Sequence, residues 1–150
     1  MKTAFGLLAI VFSVSIAFSQ STPSISPIKE GIRVSKQFGE VQDTTNGIVR
    51  KHNGIDFTTV DGTPVLATGD GSVVQAAKVD KYGLMIKLTH TKDLQTVYAH
   101  LSKLNVKKGD HVKCGQVIGY SGHSGKSTFP HLHYEVLISG KNVDPIAYIQ

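Results

Sequence analysis

The chain of 150 residues has few of the residues that cross-link small domains. It has no tryptophan and a single cysteine, Cys114. One cysteine excludes an internal disulfide and a cysteine-rich structural zinc site, so the fold has to depend on its apolar core. Cys114 follows Val112 at a spacing of two, which predicts that both side chains are buried on one face of a strand.

Acidic residues are also scarce. The chain has 11 Asp and Glu against 16 Lys and Arg, which gives a formal net charge of +5. No basic stripe with interleaved aromatic residues is present, so the sequence argues against a nucleic-acid partner. A mildly basic chain fits attraction to an anionic polymer, and it equally fits an ordinary solvated surface.

Helical periodicity is missing after residue 19, because no stretch keeps an i, i+3, i+4, i+7 apolar pattern over three turns. Short apolar runs are instead separated by Gly, Asp and Asn. The 15 glycines exceed the usual share of about 7% and fall where tight turns are needed. The pattern predicts one all-β domain, a barrel or a sandwich, with little helix. The predicted strands are Gly54–Thr58, Pro64–Ala67, Ser72–Lys78, Leu84–His90, Thr96–Leu101, Val117–Tyr120 and His131–Ile138.

The amino-terminal segment has the layout of a secretory signal peptide over residues 1–19. Lys2 precedes a mostly apolar run to Phe18, and Ala17-Phe18-Ser19 is a small-x-small cleavage site. An uncleaved membrane anchor is the alternative, but about 15 apolar residues are few for a span of about 20. We therefore predict an exported chain with no stable membrane insertion after cleavage. Residues 20–31 are predicted as a flexible linker or a loosely docked arm, and residues 32–150 as the folded domain.

Two histidines share one face of the last predicted strand. In His131-Leu132-His133-Tyr134-Glu135-Val136 the side chains alternate between the two faces of the sheet. His131, His133 and Glu135 therefore lie on the face opposite Leu132 and Tyr134. Neutral imidazole is a common zinc ligand, although solvated or hydrogen-bonded histidines are ordinary in strands.

A second group of ligand-type residues lies in His52-Asn53-Gly54-Ile55-Asp56. On an extended segment the offset of four places His52 and Asp56 on one face, and Gly54 between them leaves room for an ion. The alternative is that Asp56 caps a turn and His52 is solvated. Together with one histidine of the 131/133 pair, these residues supply two imidazoles and one carboxylate. Three protein ligands leave the fourth tetrahedral position for water, as in catalytic zinc sites.

A hydrolase also needs a group that moves protons. His100, at the end of a predicted strand, and the remaining histidine of the 131/133 pair are the candidates. Spacing alone does not decide whether His131 or His133 binds the metal.

Three motifs appear in order: His52-x-x-x-Asp56, Tyr98-Ala99-His100-Leu101 and His131-Leu132-His133-Tyr134-Glu135. Between them lie the turns Gly62-Thr63-Pro64-Val65, Gly69-Asp70-Gly71-x-Val73 and Gly115-Gln116-x-Ile118-Gly119-x-Ser121-Gly122. Over residues 33–145 the ordered set resembles the lysostaphin/LytM-type zinc metalloendopeptidases of bacterial cell walls.

The resemblance implies a small antiparallel β-sheet domain with a groove across the sheet. It implies one Zn²⁺ per chain held by His52, Asp56 and His133, with His100 and His131 as the catalytic pair. The implied substrate is the peptide part of peptidoglycan, with either a glycine bridge or a direct D-Ala-type cross-link, in the periplasm or outside the cell. The alternative is a non-catalytic cell-wall binding or amidase-regulating module of the same fold.

Three further residues have two interpretations each, and a fourth departs from the family pattern. Glu135 either orients a ligand or pairs with a nearby Lys or Arg. Tyr98, two residues before His100, either reaches the groove or packs in the core. His90 is either structural or at the groove edge. His123 stands where the resembled family usually has Asn, which leaves the geometry of its loop open.

Overall fold

The computed structural model describes residues 21–29, 33–43 and 45–149. The predicted signal peptide, Gln20 and residues 30–32 lie outside the described residues. The described chain forms an all-β domain with two short 3₁₀ turns, Asp80–Tyr82 and Pro145–Tyr148. Its strands are β1 Val34–Lys36, β2 Gly39–Gln42, β3 Val49–His52, β4 Ile55–Thr58, β5 Pro64–Leu66, β6 Gly71–Val79, β7 Gly83–Thr89, β8 Leu94–Leu104, β9 His111–Val112, β10 Val117–Ser121, β11 His131–Ile138 and β12 Lys141–Val143.

One large antiparallel sheet dominates the fold. Its strands run in the order β1-β4-β11-β8-β7-β6-β9, while β12 pairs with β11, and β10 pairs with both β8 and β5. Strands β2 and β3 form a separate two-stranded sheet. The prediction of an all-β, antiparallel domain is confirmed. Within the described ranges, no helix is long and apolar enough to cross a membrane.

Strand β11 lies between β4, which carries Asp56, and β8, which carries His100. On one face of β11 the side chains of Leu132, Tyr134 and Val136 are fully buried in the main apolar core. Burial of such side chains stabilises the fold by about 1.5–3 kcal/mol each. Phe57 of β4 and Tyr98 of β8 pack beside Tyr134, with ring centroids 6.4 and 5.3 Å from it.

Buried hydroxyl groups of this core are hydrogen bonded to one another. The hydroxyl of Thr68 lies 2.9 Å from that of Tyr98 and 3.0 Å from that of Tyr134. His90 is fully buried, and its two ring nitrogens lie 2.8 Å from the Asp70 carbonyl and 2.8 Å from the Thr96 hydroxyl. These contacts confirm the structural interpretation of His90, because both nitrogens are used inside the fold.

All seven predicted strands are present, with ends that differ by at most three residues. The prediction missed β1, β2, β3 and β12, each of which has four residues or fewer, and it made β9 too long. Runs this short carry too few alternations for the sequence pattern to reveal them.

The described part of the predicted linker packs against the domain. The backbone N–H of Ser24 donates to the Thr68 carbonyl at 2.9 Å, and the N–H of Leu66 donates to the Pro27 carbonyl at 2.9 Å. Ile28 is buried in the main core. These contacts favour a docked arm over a free linker for residues 21–28, while the predicted domain boundary stays a prediction.

The prediction that Cys114 is buried is wrong. Strand β9 ends at Val112, which is buried, and the chain turns before Cys114, whose side chain is exposed. The backbone N–H of Cys114 donates to Asp70 Oδ1 at 2.8 Å. Strand β9 is too short to carry the alternation of side chains to residue 114.

Gly54 lies where the backbone of β4 approaches β11. A Cβ atom at this position would collide with the carbonyl group of Tyr134. The sequence-based argument that Gly54 makes room for an ion is therefore wrong. The glycine is needed for strand pairing, and that pairing in turn positions Asp56 opposite His133.

We predict that Gly54→Ala lowers the free energy of unfolding by about 1–3 kcal/mol, because the added methyl group overpacks the β4–β11 contact. Urea denaturation in the presence of a chelator measures this effect without any contribution from metal. Thr58→Ala, at an exposed position of the same strand, is the control and should change the value by less than about 0.5 kcal/mol. Equal stability of the two variants would contradict the packing argument.

Candidate metal centre and catalytic groove

Two antiparallel strands bring the first ligand-type pair together. In the register of β4 and β11, His133 lies directly opposite Asp56. Nδ1 of His133 is 2.7 Å from Oδ1 of Asp56. His52 reaches the same oxygen from the end of β3, with its Nε2 3.1 Å from Oδ1 of Asp56 and 3.1 Å from Nδ1 of His133.

His52 arrives by a different route from the one predicted. The sequence suggested a continuous extended segment over residues 52–56, but β3 ends at His52 and β4 begins only at Ile55. A bend at residues 53–54 separates them. His52 Nδ1–H donates to the Gln37 carbonyl at 2.7 Å, which leaves the lone pair on Nε2 for the cluster.

Glu135 sets the orientation of His133. Nε2–H of His133 donates to Oε1 of Glu135 at 3.0 Å, so Nδ1 faces Asp56. The carboxylate also accepts hydrogen bonds from the Tyr82 hydroxyl at 2.8 Å and from Nδ2 of Asn142 at 2.9 Å. Because only 3% of Glu135 is exposed, this anchoring is nearly free of solvent competition. Of its two interpretations, orientation of a ligand is the one that agrees with the structure.

The electrostatics of the cluster favour a cation between its members. Burial alone would raise the pKa of Asp56, but the imidazoles of His133 and His52 beside its carboxylate hold that pKa well below its usual range. Burial opposes a charge on His133, yet hydrogen bonds to Asp56 and Glu135 raise its pKa to about 9. The surroundings therefore stabilise positive charge at Nδ1 of His133.

The donor set suits zinc. Zinc in proteins takes imidazole nitrogen and carboxylate oxygen at about 2.0–2.2 Å, so two tetrahedral ligands lie about 3.3 Å apart. The three candidate ligand atoms of His52, Asp56 and His133 lie 2.7–3.1 Å apart. In the part of the chain that the structure describes, no other group of three His, Cys, Asp or Glu residues brings three ligand atoms within 4.8 Å of one another.

Two further imidazoles lie beside the cluster. His131 Nδ1 is 3.0 Å from the Phe129 carbonyl and 3.1 Å from the Ser127 hydroxyl, and its Nε2 is 3.9 Å from Oδ1 of Asp56. His100 Nδ1–H donates to the Ser124 carbonyl at 2.8 Å, and the rings of His100 and His131 are 4.6 Å apart. Carbonyl groups accept only, so each ring carries its proton on Nδ1 and keeps the Nε2 lone pair available.

A break in strand β8 turns His100 toward the groove. His100 has φ of +61°, and the pairing of β7 with β8 shifts register between Tyr98 and Leu101. Alternation is lost at this irregularity, so Tyr98 faces the core although it is only two residues away. The interpretation of Tyr98 as a groove residue is wrong for this reason. Burial lowers the pKa of His100 to about 4.

These residues form the floor of a groove of about 370 Å³. Tyr82 and Phe129 contribute to its walls, and none of the described arm residues 21–29 lines it.

A model of peptidase family M23 matches residues 50–145, nearly two thirds of the chain. The chain belongs to peptidase family M23.

Similar proteins agree with this assignment. The chain is 46% identical over 96 residues to the peptidoglycan DD-endopeptidase ShyA of Vibrio cholerae, covering 64% of this chain and 22% of that protein. A zinc-containing peptidase from Vibrio cholerae superposes with a TM-score of 0.77 at 37% identity, covering 83% of this chain and 39% of that one. The lysostaphin catalytic domain of Staphylococcus simulans gives 0.70 at 36% identity, covering 78% and 91%.

The M23 chain spans about a quarter of the length of the curated relatives it matches. The structure brings all five sequence-predicted residues, His52, Asp56, His100, His131 and His133, to one groove. Their division into metal ligands and catalytic groups stays a prediction.

His123 does not disturb the loop of this M23 chain that supports His100. Its Nδ1 lies 3.0 Å from the exposed carboxylate of Asp61, away from the groove. The loop is held instead by Ser124, whose hydroxyl donates to the Leu101 carbonyl at 2.6 Å and accepts from the N–H of Leu84 at 2.9 Å. Imidazole at residue 123 is therefore compatible with the position of His100.

Sequence reasoning missed Tyr82 and Asn142. Asn142 had a readable signal, because a tight turn at Ser139-Gly140 pairs Leu137 with Asn142, and Leu137 shares a face with Glu135. Tyr82 had none, since it lies on a turn whose approach to Glu135 depends on the packing of the whole sheet.

We predict that Glu135→Gln weakens zinc binding by about 10–100-fold, because His133 loses its anionic hydrogen-bond partner. Competition with a chromophoric chelator measures the affinity. Glu40→Gln, the same change at an exposed position of β2, is the control and should bind zinc as the unaltered protein does. Unchanged affinity in Glu135→Gln would show that Glu135 does not support the ligand.

Proposed function

We propose that this chain is an exported zinc-dependent endopeptidase that hydrolyses peptide cross-links or stem peptides of bacterial peptidoglycan. One observation carries the proposal: three ligand atoms within 3.1 Å of one another, flanked by two imidazoles with available Nε2 atoms, open into one groove. The peptidoglycan enzymes among its relatives support the substrate and a place of action outside the cytoplasm.

His52, Asp56 and His133 would hold the zinc ion. When bound in such a site, zinc polarises a carbonyl group and lowers the pKa of water from 15.7 to about 7. The protein keeps the two imidazole ligands in the required tautomers through Gln37 and Glu135, whose oxygens accept the other ring protons. This preorganisation lowers the cost of ordering the ligands.

His100 and His131 supply the proton transfers. Burial lowers the pKa of His100 to about 4, so the ring is neutral near pH 7 and its Nε2 lone pair can accept a hydrogen bond from water or substrate in the groove. His131 is held by the Phe129 carbonyl so that its own Nε2 faces the cluster. An imidazole that takes a proton from water can return it to the leaving amine of the peptide.

A non-catalytic wall-binding or amidase-regulating module is the alternative. It would need a groove that binds peptides, but not two imidazoles whose Nε2 atoms are kept available beside a ligand cluster. The Ser124 and Phe129 carbonyl groups hold the rings of His100 and His131 in place, and this arrangement supports a catalytic function over peptide binding alone.

We predict that the zinc-loaded protein releases peptide fragments from purified peptidoglycan, as measured by mass spectrometry of the soluble products. Chelation should abolish release, and added zinc should restore it. Intact peptidoglycan after incubation with the zinc-loaded protein would contradict the proposed activity and favour the binding module.

Variants separate the roles of the histidines. His133→Ala should lose zinc. His131→Ala and His100→Ala should each keep zinc and release fragments at least about 100-fold more slowly, because each removes a proton-transfer group. Zinc content is measured by elemental analysis of the same samples. A His131→Ala protein that binds zinc and cuts at the unaltered rate would overturn the assignment.

A further inference from the structure

Among the described residues that line the groove, the exposed charges are all positive. Four exposed lysines contribute to its walls: Lys36, Lys51, Lys81 and Lys126. The two acidic residues of the groove, Asp56 and Glu135, are 6% and 3% exposed and are hydrogen bonded to imidazoles. A ligand that enters the groove therefore meets ammonium groups, and no described residue of the groove offers it a competing exposed carboxylate.

These four lysines are free to bind a ligand. Among the described residues, none of their ammonium groups forms an ion pair, whereas Lys113 outside the groove pairs with Asp70 at 2.8 Å. Lys81 Nζ lies 5.2 Å from the centroid of the Tyr82 ring, which leaves its hydrogen-bond donors available. Four unpaired lysines around one groove raise its positive potential, since the low-dielectric walls focus the field.

The lysines form one pair on each side of the catalytic residues. Lys36 is the last residue of β1 and pairs with Asp56 of β4, and Lys51 directly precedes His52. Strands β1 and β4 lie on one side of β11 in the sheet. Lys81 and Lys126 belong to connections on the side of β8 and β7, the opposite side of β11. A peptide bound over the cluster therefore has a lysine pair in either direction.

The second pair is held in place by backbone contacts. The N–H of Lys126 donates to the Lys81 carbonyl at 2.9 Å. Gly83 and Gly125 have positive φ values of +64° and +75°, and a Cβ on either residue would collide with the other connection. The two connections can approach this closely only because both positions are glycine. The spacing of Lys81 and Lys126 is thus built into the fold.

We propose that this groove selects a peptide with free carboxylates on both sides of the scissile bond over an otherwise identical uncharged peptide. The cleavage part of this inference rests on the proposed function. A bridge made only of glycine has no side-chain charge and gains nothing from the lysines. A cross-link between residues that keep free carboxylates pairs with ammonium groups on both walls, which improves capture and orientation.

Two synthetic cross-linked peptides test the inference directly. They share one sequence, and differ only in whether the side-chain and terminal carboxylates are free or converted to primary amides. With the zinc-loaded full chain, we expect KM to be about tenfold higher for the amidated peptide at low salt, with kcat nearly equal. The difference should shrink to less than about twofold in 1 M salt, where the screening length is about 3 Å.

Charge-removing variants locate the effect. Two double variants each remove one lysine pair: the first combines Lys36→Gln with Lys51→Gln, and the second combines Lys81→Gln with Lys126→Gln. Each double variant should raise KM for the free-carboxylate peptide by about threefold to tenfold. They should leave KM for the amidated peptide nearly unchanged. Lys107→Gln with Lys108→Gln is the matched control, because it removes two exposed charges outside the groove.

Two results would overturn the inference: equal KM values for the two peptides, or groove variants that behave like the Lys107/Lys108 control. Fluorescence anisotropy of labelled peptides is run in parallel, since it reads affinity without turnover. If neither peptide is cut, the proposed function fails, and the anisotropy still decides the inference. Equal affinities for the free and amidated peptides in that measurement reject it.

Discussion

The structure depends on the antiparallel register between β4 and β11, which places Asp56 directly opposite His133. A slip of one residue would send His133 to the apolar core and Tyr134 to the groove, because side chains alternate along a strand. The register is set by apolar side chains on the other face, where Leu132, Tyr134 and Phe57 are buried. Because Gly54 has no side chain, the backbone before β4 can lie against the backbone of β11. Core packing therefore determines which groups face one another in the groove.

The groove side of β11 is supported by polar contacts that extend outward from the cluster. Gln37, Glu135, Phe129 and Ser124 each accept a hydrogen bond from one of the four histidines. Each contact uses one ring nitrogen and leaves the other directed to the groove. Since a mobile imidazole would have to be ordered during each turnover, these four acceptors give the site its preorganisation.

Much of the fold and site could be predicted from the sequence, because long strands with clear alternation are visible in it. His131 and His133 on one face followed from the alternation of side chains along a strand, and His52 and Asp56 followed from their spacing. The family resemblance added the division of these residues and His100 into metal ligands and catalytic pair. The errors fall where alternation is interrupted. The bend after His52, the positive φ of His100 that separates it from Tyr98, and the early end of β9 before Cys114 are all local irregularities. The lysine-lined walls were not predicted, since the four lysines come from strands and connections far apart in sequence.

The most direct test of the account is a crystal structure of the zinc-soaked protein with anomalous diffraction recorded on both sides of the zinc absorption edge. We expect one anomalous peak per chain, bonded to Nε2 of His52, an Oδ atom of Asp56 and Nδ1 of His133, with His100 and His131 outside bonding distance. A peak bonded to His100 or His131 in place of these ligands, or no peak in the groove, would contradict it.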